Sequence, residues 1–152
     1  MKSRQDSLGF LLADVSRLMR HAFRHRLEGS ALTLAQARTL IYVSRNEGVR
    51  QVELADMLEI QPISLARLID QLAEARLVER RADPTDRRAY QLFLTPAAAD
   101  QLAAIEQVAA AIRADALAGI SKQQAETLLA ALNAMRANLA SLPRRPAKEQ
   151  PQ

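Results

Sequence analysis

Apolar residues recur at helical spacing near the beginning of the chain. The stripe consists of Leu8, Leu11, Leu12, Val15, Leu18, Met19, Ala22, Phe23 and Leu27. Recurrence at three and four residues is typical of one face of an α-helix, and Asp6 is its predicted N-cap. Because the stripe is long and wide, we expect it to pack against something outside a compact core, such as a second subunit.

Three further helices are predicted before residue 76. Thr33 and Gln36 form a T-x-x-Q capping box that opens the second helix, which ends near Gly48, a residue suited to a left-handed cap. The third helix is Gln51–Leu58, and the fourth begins at Pro62, a residue type favoured at the first helical position, and runs to about Ala75. Two short helices joined by so short a turn form a helix-turn-helix, although helical hairpins in general share this pattern.

The fourth helix has an apolar face and a polar face. At about 100° per residue, the core-facing residues are Leu65, Leu68, Ile69 and Leu72. The outward face and its flanks carry Ile63, Ser64, Arg67, Asp70 and Gln71. A guanidinium can recognise guanine, a hydroxyl either strand, and an aliphatic group the thymine methyl. Since any exposed helix carries such residues, the helix-turn-helix context is what favours base readout.

A charged hairpin follows directly. Leu77–Arg81 and Ala89–Leu94 predict two strands, and the Asp-Pro-Thr-Asp sequence of residues 83–86 favours a turn between them. Thr95 is the predicted N-cap of the next helix, with Pro96 in its first turn. By itself the hairpin is compatible with a solvated loop. Its position after a recognition helix predicts the wing of a winged helix-turn-helix.

The rest of the chain is predicted to be helical as far as Pro143. One helix has the stripe Leu102, Ile105, Ala109, Ile112 and Ala116. The next begins at a capping box of Ser121 and Gln124 and continues with Ala125, Leu128, Leu129, Leu132, Met135 and Leu139. The terminal helices carry more apolar surface than a winged helix needs as cover. A second copy related by a two-fold axis would cover it and would present two recognition helices to a palindromic site.

These elements predict a mainly α fold, a winged helix-turn-helix with long N- and C-terminal dimerisation helices. We expect an N-terminal dimerisation helix in residues 1–30 and the DNA-binding lobe in residues 31–95. The C-terminal dimerisation helices would occupy residues 96–142. Residues 143–152 lack an apolar anchor, which is typical of a disordered tail.

Composition narrows the class of protein. Of 152 residues, 49% are hydrophobic and 25% charged, and the formal net charge of +4 permits but does not prove binding to a polyanion. The absence of cysteine excludes disulfides, thiolate nucleophiles and thiolate metal sites. No apolar run is long enough for a signal peptide or membrane span, so we expect a cytoplasmic protein with no membrane partner.

Catalysis and metal binding find little support in the sequence. There is no nucleophile elbow, phosphate loop or H-E-x-x-H motif, so we do not expect an enzyme. His21 and His25 have the spacing of two metal ligands on one helix face. With no cysteine and no identifiable acidic third ligand, surface or interface imidazoles are favoured and no metal site is predicted. The alternative function is a helical dimerisation or scaffold protein without specific DNA binding.

Residues 8–140 resemble the MarR family of transcriptional regulators, and within it the SlyA-like branch. The most specific match is Asp-Pro-Thr-Asp-Arg-Arg followed by Leu-Phe-Leu-Thr, which is similar to the family's wing signature. The matching segments are 51–55, 64–72, 77–80, 83–88, 92–95 and 117–121. The resemblance implies a homodimeric transcription factor, usually a repressor, that binds double-stranded DNA at an inverted repeat.

The resemblance also implies roles for individual residues. Arg88 would enter the minor groove, oriented by Asp86, since a narrow A·T-rich groove has an enhanced negative potential. Ser64 and Arg67 would read bases in the major groove, beside Ile63 and Gln71. The predicted phosphate contacts are Arg80, Arg81 and Arg87, which would add salt-dependent affinity without sequence information.

Ligand pockets of the family lie where the first, second and fifth helices meet the wing. Arg17 and His21, which could pair with the carboxylate of an aromatic acid, are predicted to line this pocket together with Ala37 and Ile41. The implied effector is a small phenolic or aromatic acid, and no other cofactor is expected.

Three positions depart from the family pattern. Many relatives have an aromatic residue at the position of Ala37. Family members often have glycine at the positions of Glu59 and Arg76, where a left-handed backbone is expected to cost about 1 kcal/mol for a side chain. The pitch of the recognition helix is therefore less firmly predicted than its presence.

Overall fold

Six α-helices and three short strands make up residues 7–143, the part of the chain described by the computed structural model. The elements are α1 Leu8–Arg26, α2 Leu34–Arg45, β1 Val49–Arg50, α3 Gln51–Leu58, α4 Pro62–Glu74, β2 Val78–Ala82, β3 Tyr90–Leu94, α5 Ala99–Ala116 and α6 Lys122–Ala140. A single 3-10 turn, Pro96–Ala98, precedes α5. The chain divides into two units, with the boundary after Ala114.

Side-chain caps account for the starts of α1 and α2. The Oγ of Ser7 accepts from the backbone N–H of Phe10 at 3.4 Å, so the prediction of Asp6 as N-cap is wrong, and Asp6 itself lies outside the described residues. The predicted capping box of α2 is confirmed. Thr33 Oγ1 accepts from the N–H of Gln36 at 3.2 Å, and Gln36 Oε1 accepts from the N–H of Thr33 at 2.9 Å.

Of the two later helix starts, one has the predicted side-chain cap and the other does not. Ser121 and Gln124 form the predicted reciprocal box at the start of α6, with distances of 3.2 Å and 2.9 Å. Thr95 precedes a 3-10 turn, as expected from Pro96, but it makes no side-chain cap. Its hydroxyl donates to the carbonyl of Arg76 instead, because the end of β3 lies beside the end of α4.

The sheet has three antiparallel strands in the order β1-β3-β2. The two predicted wing strands pair as expected, with Val78 opposite Leu94 and Ala82 opposite Tyr90. The two-residue strand β1 pairs with β3 through Val49 and Leu92 and was not predicted. It attaches the wing to the chain just before α3.

One apolar core holds the elements of the first unit together. Its fully buried side chains include Leu40, Val43, Leu54, Leu65, Ile69, Leu72, Val78, Leu92 and Ile105. Full burial of each such side chain stabilises the fold by roughly 1.5–3 kcal/mol. The core fixes one face of α4 against the lobe, and the opposite face is left at the surface.

Helix α1 has no buried residue, as expected for a stripe that exceeds the needs of one lobe. Its exposed large apolar side chains are Leu8, Phe10, Leu11, Leu12, Val15, Leu18 and Met19. The second unit contains α6, which also has no buried residue. The exposed large apolar side chains of this unit are Ile120, Leu128, Leu129, Leu139 and Leu142.

Two further sequence expectations concern the C-terminal tail and membrane spans. The predicted tail begins at Pro143, and its residues from 144 onward lie outside the described part. Within residues 7–143 none of the helices combines the length and apolar character needed to cross a bilayer.

Candidate nucleic-acid interface

The outward face of α4 carries the predicted base-reading side chains. Ile63, Ser64 and Arg67 are exposed, Ile63 to 64%. The opposite face of the helix is buried in the core. Within the described chain, the Arg67 guanidinium has no hydrogen-bond or ion-pair partner. A hydroxyl, a guanidinium and an aliphatic group are therefore presented together to solvent, which is the chemistry that base edges require.

Gln71 is exposed as well, but its amide is already in contact with α2. Its Oε1 accepts from Gln36 Nε2 at 3.1 Å, and Gln36 is also the residue that closes the capping box with Thr33. The amide nitrogen of Gln71 is the group that remains for a base or phosphate. This contact links the start of α2 to the recognition helix.

Both positions at which glycine was expected have the left-handed backbone. Glu59 has φ 54° and ψ 42° at the end of α3, and Arg76 has φ 59° after α4. The N–H of the next residue, Leu77, donates to Leu72 O at 2.9 Å, as in a normal αL helix end. The left-handed turn is thus retained at both positions, and each side chain is held in a strained backbone conformation.

The wing loop, residues 83–89, presents Arg88 to solvent. Asp86 Oδ1 accepts from the backbone N–H of Arg88 at 2.9 Å, and the N–H of Ala89 donates to Asp86 O at 3.1 Å. Asp86 therefore fixes the backbone from which Arg88 projects and does not bind its guanidinium. Within the described residues that guanidinium has no partner, so it is available to an external anion.

The wing loop is fastened at its base by a buried carboxylate that the sequence did not reveal. Asp83 Oδ2 accepts from Arg50 Nε at 2.7 Å. Asp83 Oδ1 accepts from the N–H and the hydroxyl of Thr85 at 2.8 and 2.7 Å. The side chain of Asp83 is only 2% exposed, so its charge depends on these donors.

The pKa of Asp83 reflects this environment. The hydroxyl and backbone N–H of Thr85, together with the guanidinium of Arg50, lower it from 3.8 to about 2, although burial acts in the opposite direction. Asp83 is therefore ionised at every physiological pH.

The three predicted phosphate contacts lie in different surroundings. Arg80 is 26% exposed, and its guanidinium binds Gln51 Oε1 at 2.9 Å and Asp70 Oδ1 at 2.7 Å. Arg81 lies 4.0 Å above the ring centroid of Phe93 and pairs with the neighbouring Glu79. Arg87 is exposed, with no side-chain partner in the described chain. Their contact with phosphate stays a prediction, and only the Arg87 guanidinium needs no rearrangement to make it.

A cleft of about 330 Å³ joins the recognition helix to the wing. Its walls are Arg50, Gln51, Val52, Pro62, Asp86, Arg88, Ala89 and Tyr90. Exposed Val52 and Tyr90 belong to this surface and were not predicted. The first residue of α4 and the free arginine of the wing thus line one continuous concave surface.

A second cavity of about 420 Å³ lies between α1, α2 and α5. It is lined by Leu12, Val15, Ser16, Met19, Arg20, Phe23, Leu34, Arg38, Ile41, Ala109 and Ile112. Of the predicted pocket residues only Ile41 lines it. Ala37 is fully buried in the core, Arg17 pairs with Asp14 on the exposed side of α1, and His21 is exposed outside the cavity.

The cavity's two guanidinium groups, Arg20 and Arg38, were missed by the sequence reasoning. Arg38 lies four residues after Leu34 and three before Ile41 on α2, so helical spacing was the signal that could have identified it. The histidines of α1 do not form a metal-binding cluster with acidic residues in the part of the chain that the structure describes. His25 pairs with Glu28 at 3.1 Å, and residues 7–143 contain no group of three or more metal-ligating side chains.

Helices α2, α3 and α4 followed by a hairpin wing define a winged helix-turn-helix protein. A family model described as the MarR family matches residues 32–89. The solved structure of transcriptional regulator PA3341 is 36% identical, with a TM-score of 0.75 over 90% of this chain and 100% of that chain. The chain belongs to the MarR family, whose members are transcription regulators and not enzymes.

Two further solved structures share the fold. A crystal structure of MarR is 24% identical, with a TM-score of 0.80 over 92% of this chain and 95% of that chain. The transcriptional regulator SlyA is 22% identical, with a TM-score of 0.69 over 84% of this chain and 90% of that chain. The predicted family and the mainly α winged-helix fold are confirmed.

Proposed function

We propose that this regulator is a homodimer that binds an inverted-repeat operator and represses transcription until a small aromatic acid binds it. The observation that carries the proposal is the continuous cleft between Pro62 on α4 and Arg88 on the wing. It brings a base-reading face and an unpaired guanidinium to one surface. In this arrangement α4 would enter a major groove with its base-reading face, and the guanidinium of Arg88 would enter the flanking minor groove.

The dimer is supported by the apolar surface that one copy leaves uncovered. Seven large apolar side chains of α1 are exposed, and contiguous apolar surface of this kind is typical of an interface. A closed two-fold pair would cover this surface and duplicate α4. Light scattering should give twice the mass of the 16.8 kDa chain. Leu11→Glu or Val15→Glu should shift the mass toward one chain, while Arg67→Glu, on the outward face of α4, should not.

The effector site is supported by the chemistry of the cavity between α1, α2 and α5. Its walls are mostly aliphatic or aromatic, with Arg20 and Arg38 as the cationic groups. A planar acid can bury its ring against Phe23 and Ile41 while its carboxylate binds a guanidinium. Arg20 already donates to Ser16 at 2.5 Å, so Arg38 is the proposed primary carboxylate contact.

Repression is relieved only if the acid prefers a conformation that does not fit the operator. Helix α2 connects the two sites, because Arg38 lines the cavity and Gln36 binds Gln71 of the recognition helix. A ligand that moves α2 therefore acts directly on a residue of the DNA-reading face. By linkage, operator DNA must weaken acid binding by the same factor.

In vitro selection from random duplex DNA tests the proposed function. The expected product is an inverted repeat with half-sites one helical turn apart and A·T-rich flanks. Binding of the selected duplex should weaken steeply with salt, with Arg67→Ala changing the selected bases and Arg88→Ala weakening binding. Failure to enrich any sequence from wild-type protein would favour the scaffold function. Benzoic and hydroxybenzoic acids should release the duplex from wild type and not from Arg38→Leu.

A further inference from the structure

The wing is tied to the start of α3 by one ion pair over a long sequence distance. Arg50 ends β1, and its Nε donates to Asp83 Oδ2 at 2.7 Å across 33 positions. The guanidinium also donates to Thr85 Oγ1 at 3.2 Å. Arg50 is 38% exposed, whereas Asp83 is 2% exposed. The contact therefore joins a partly accessible cation to a buried anion at the first residue of the wing loop.

Asp83 also closes the wing loop on itself. Its second oxygen accepts from the N–H and hydroxyl of Thr85, and its own N–H donates to Ala89 O at 3.1 Å. Both ends of the loop thus meet at Asp83. Arg88 lies between these ends, on the backbone that Asp86 holds.

We propose that Arg50 and Asp83 are the positioning pair of the wing, setting the place of Arg88 relative to α4 so that both contact DNA together. The inference rests on the proposed DNA binding and names a determinant of it. Removing either partner leaves a poorly compensated charge at the base of the loop. The loop would then lose its fixed position while the core beneath α4 stays intact.

Charge alone makes the opposite prediction for Asp83. Neutralising it makes the cleft more positive, and counterion release favours tighter DNA binding by a more positive surface. Loss of positioning instead weakens binding. The sign of the change caused by Asp83→Asn therefore distinguishes a positioning role from an electrostatic one. Glu74→Gln is the matched control, since it removes the same charge from an exposed α4 residue with no side-chain partner in the described chain.

The DNA experiment uses the full chain and its selected duplex in a fluorescence anisotropy titration at fixed salt. Arg88→Ala should weaken binding by about 5- to 150-fold. Asp83→Asn should weaken it by at least about threefold and by no more than Arg88→Ala does. The double variant should match Arg88→Ala, because the pair acts through that residue. Unchanged or tighter binding by Asp83→Asn, or losses that multiply in the double variant, would overturn the proposal.

Amide hydrogen exchange of the free protein provides a readout that needs no DNA. In Asp83→Asn, exchange at Thr85 and Ala89 should accelerate, whereas the amide of Ile69 in α4 should keep its rate. Unchanged exchange at Thr85 would show that the pair does not hold the wing. Acceleration throughout α4 would show general destabilisation, which also contradicts positioning. If wild type selects no DNA, the proposed function fails, and exchange still decides whether Arg50 and Asp83 fix the loop.

Discussion

The left-handed residue after the recognition helix gives a direct test of backbone strain. Arg76 has φ 59°, a conformation that costs roughly 1–2 kcal/mol for a residue with a Cβ. Its side chain is exposed and has no partner within residues 7–143, so substitution sacrifices little contact. Glycine removes the strain but adds backbone entropy to the unfolded chain, worth about 0.5–1 kcal/mol. Arg76→Gly should therefore stabilise the protein by about 0.5–1 kcal/mol.

Urea unfolding at a fixed protein concentration measures this change. The midpoint should rise while the denaturant dependence m stays constant, and the melting temperature should rise by about 1–4 °C. Arg76→Asn should fall between arginine and glycine, and Arg76→Val should be the least stable, since asparagine tolerates this backbone and a β-branched residue does not. Glu74→Gly, at the last helical residue of α4, removes no left-handed strain and should destabilise by up to about 1 kcal/mol. A destabilised Arg76→Gly, or a valine variant as stable as wild type, would refute the strain argument.

Three further predictions concern the lobe. Arg88→Ala should weaken operator binding by about 1–3 kcal/mol and leave the free energy of unfolding within about 0.5 kcal/mol of wild type; equal affinity at moderate salt would contradict the wing assignment. Asp83 has its pKa lowered to about 2, so its contribution to stability is present above about pH 4 and is lost as the pH falls toward 2. The difference in unfolding free energy between wild type and Asp83→Asn should shrink over that interval, and a constant difference would exclude the ionised carboxylate as its source. Gly48→Ala should destabilise by more than about 1 kcal/mol in a thermal melt, because φ is +80° and the new Cβ would lie 3.3 Å from Phe93 Cζ; a neutral result would mean that the β1 turn relaxes freely.

Features set by nearby residues could be predicted from the sequence. The bounds of α3 agree with prediction because its apolar spacing and flanking turns lie within one short segment. The boxes at Thr33 and Ser121 agree because each involves residues three positions apart. The wing follows α4 as expected, since turn residues and strand formers are also local signals.

Features that depend on the packing of distant segments could not be predicted in this way. Strand β1 has two residues, too few to show alternation, and it exists because β3 offers a partner. The bond between Arg50 and Asp83 spans 33 positions, and nothing in either local sequence indicates the other. Arg80 resembled its neighbours in charge, yet its place between α3 and α4 engages its guanidinium internally. The sequence shows that a residue is charged, but only the fold shows whether its charged group is free to bind an external partner.

The side-chain amide of Gln36 has two hydrogen-bonding roles that depend on different atoms. Its oxygen completes the cap of α2, and its nitrogen donates to Gln71 on the recognition helix. A capping box accepts glutamate as readily as glutamine, but a carboxylate has no N–H to offer Gln71. Replacement by glutamate would therefore keep the cap of α2 while removing the hydrogen bond between Gln36 and Gln71 of α4. Under the proposed function, in which α2 links the effector cavity to the recognition helix, a lineage could thus separate the two by one conservative substitution that keeps α2 capped.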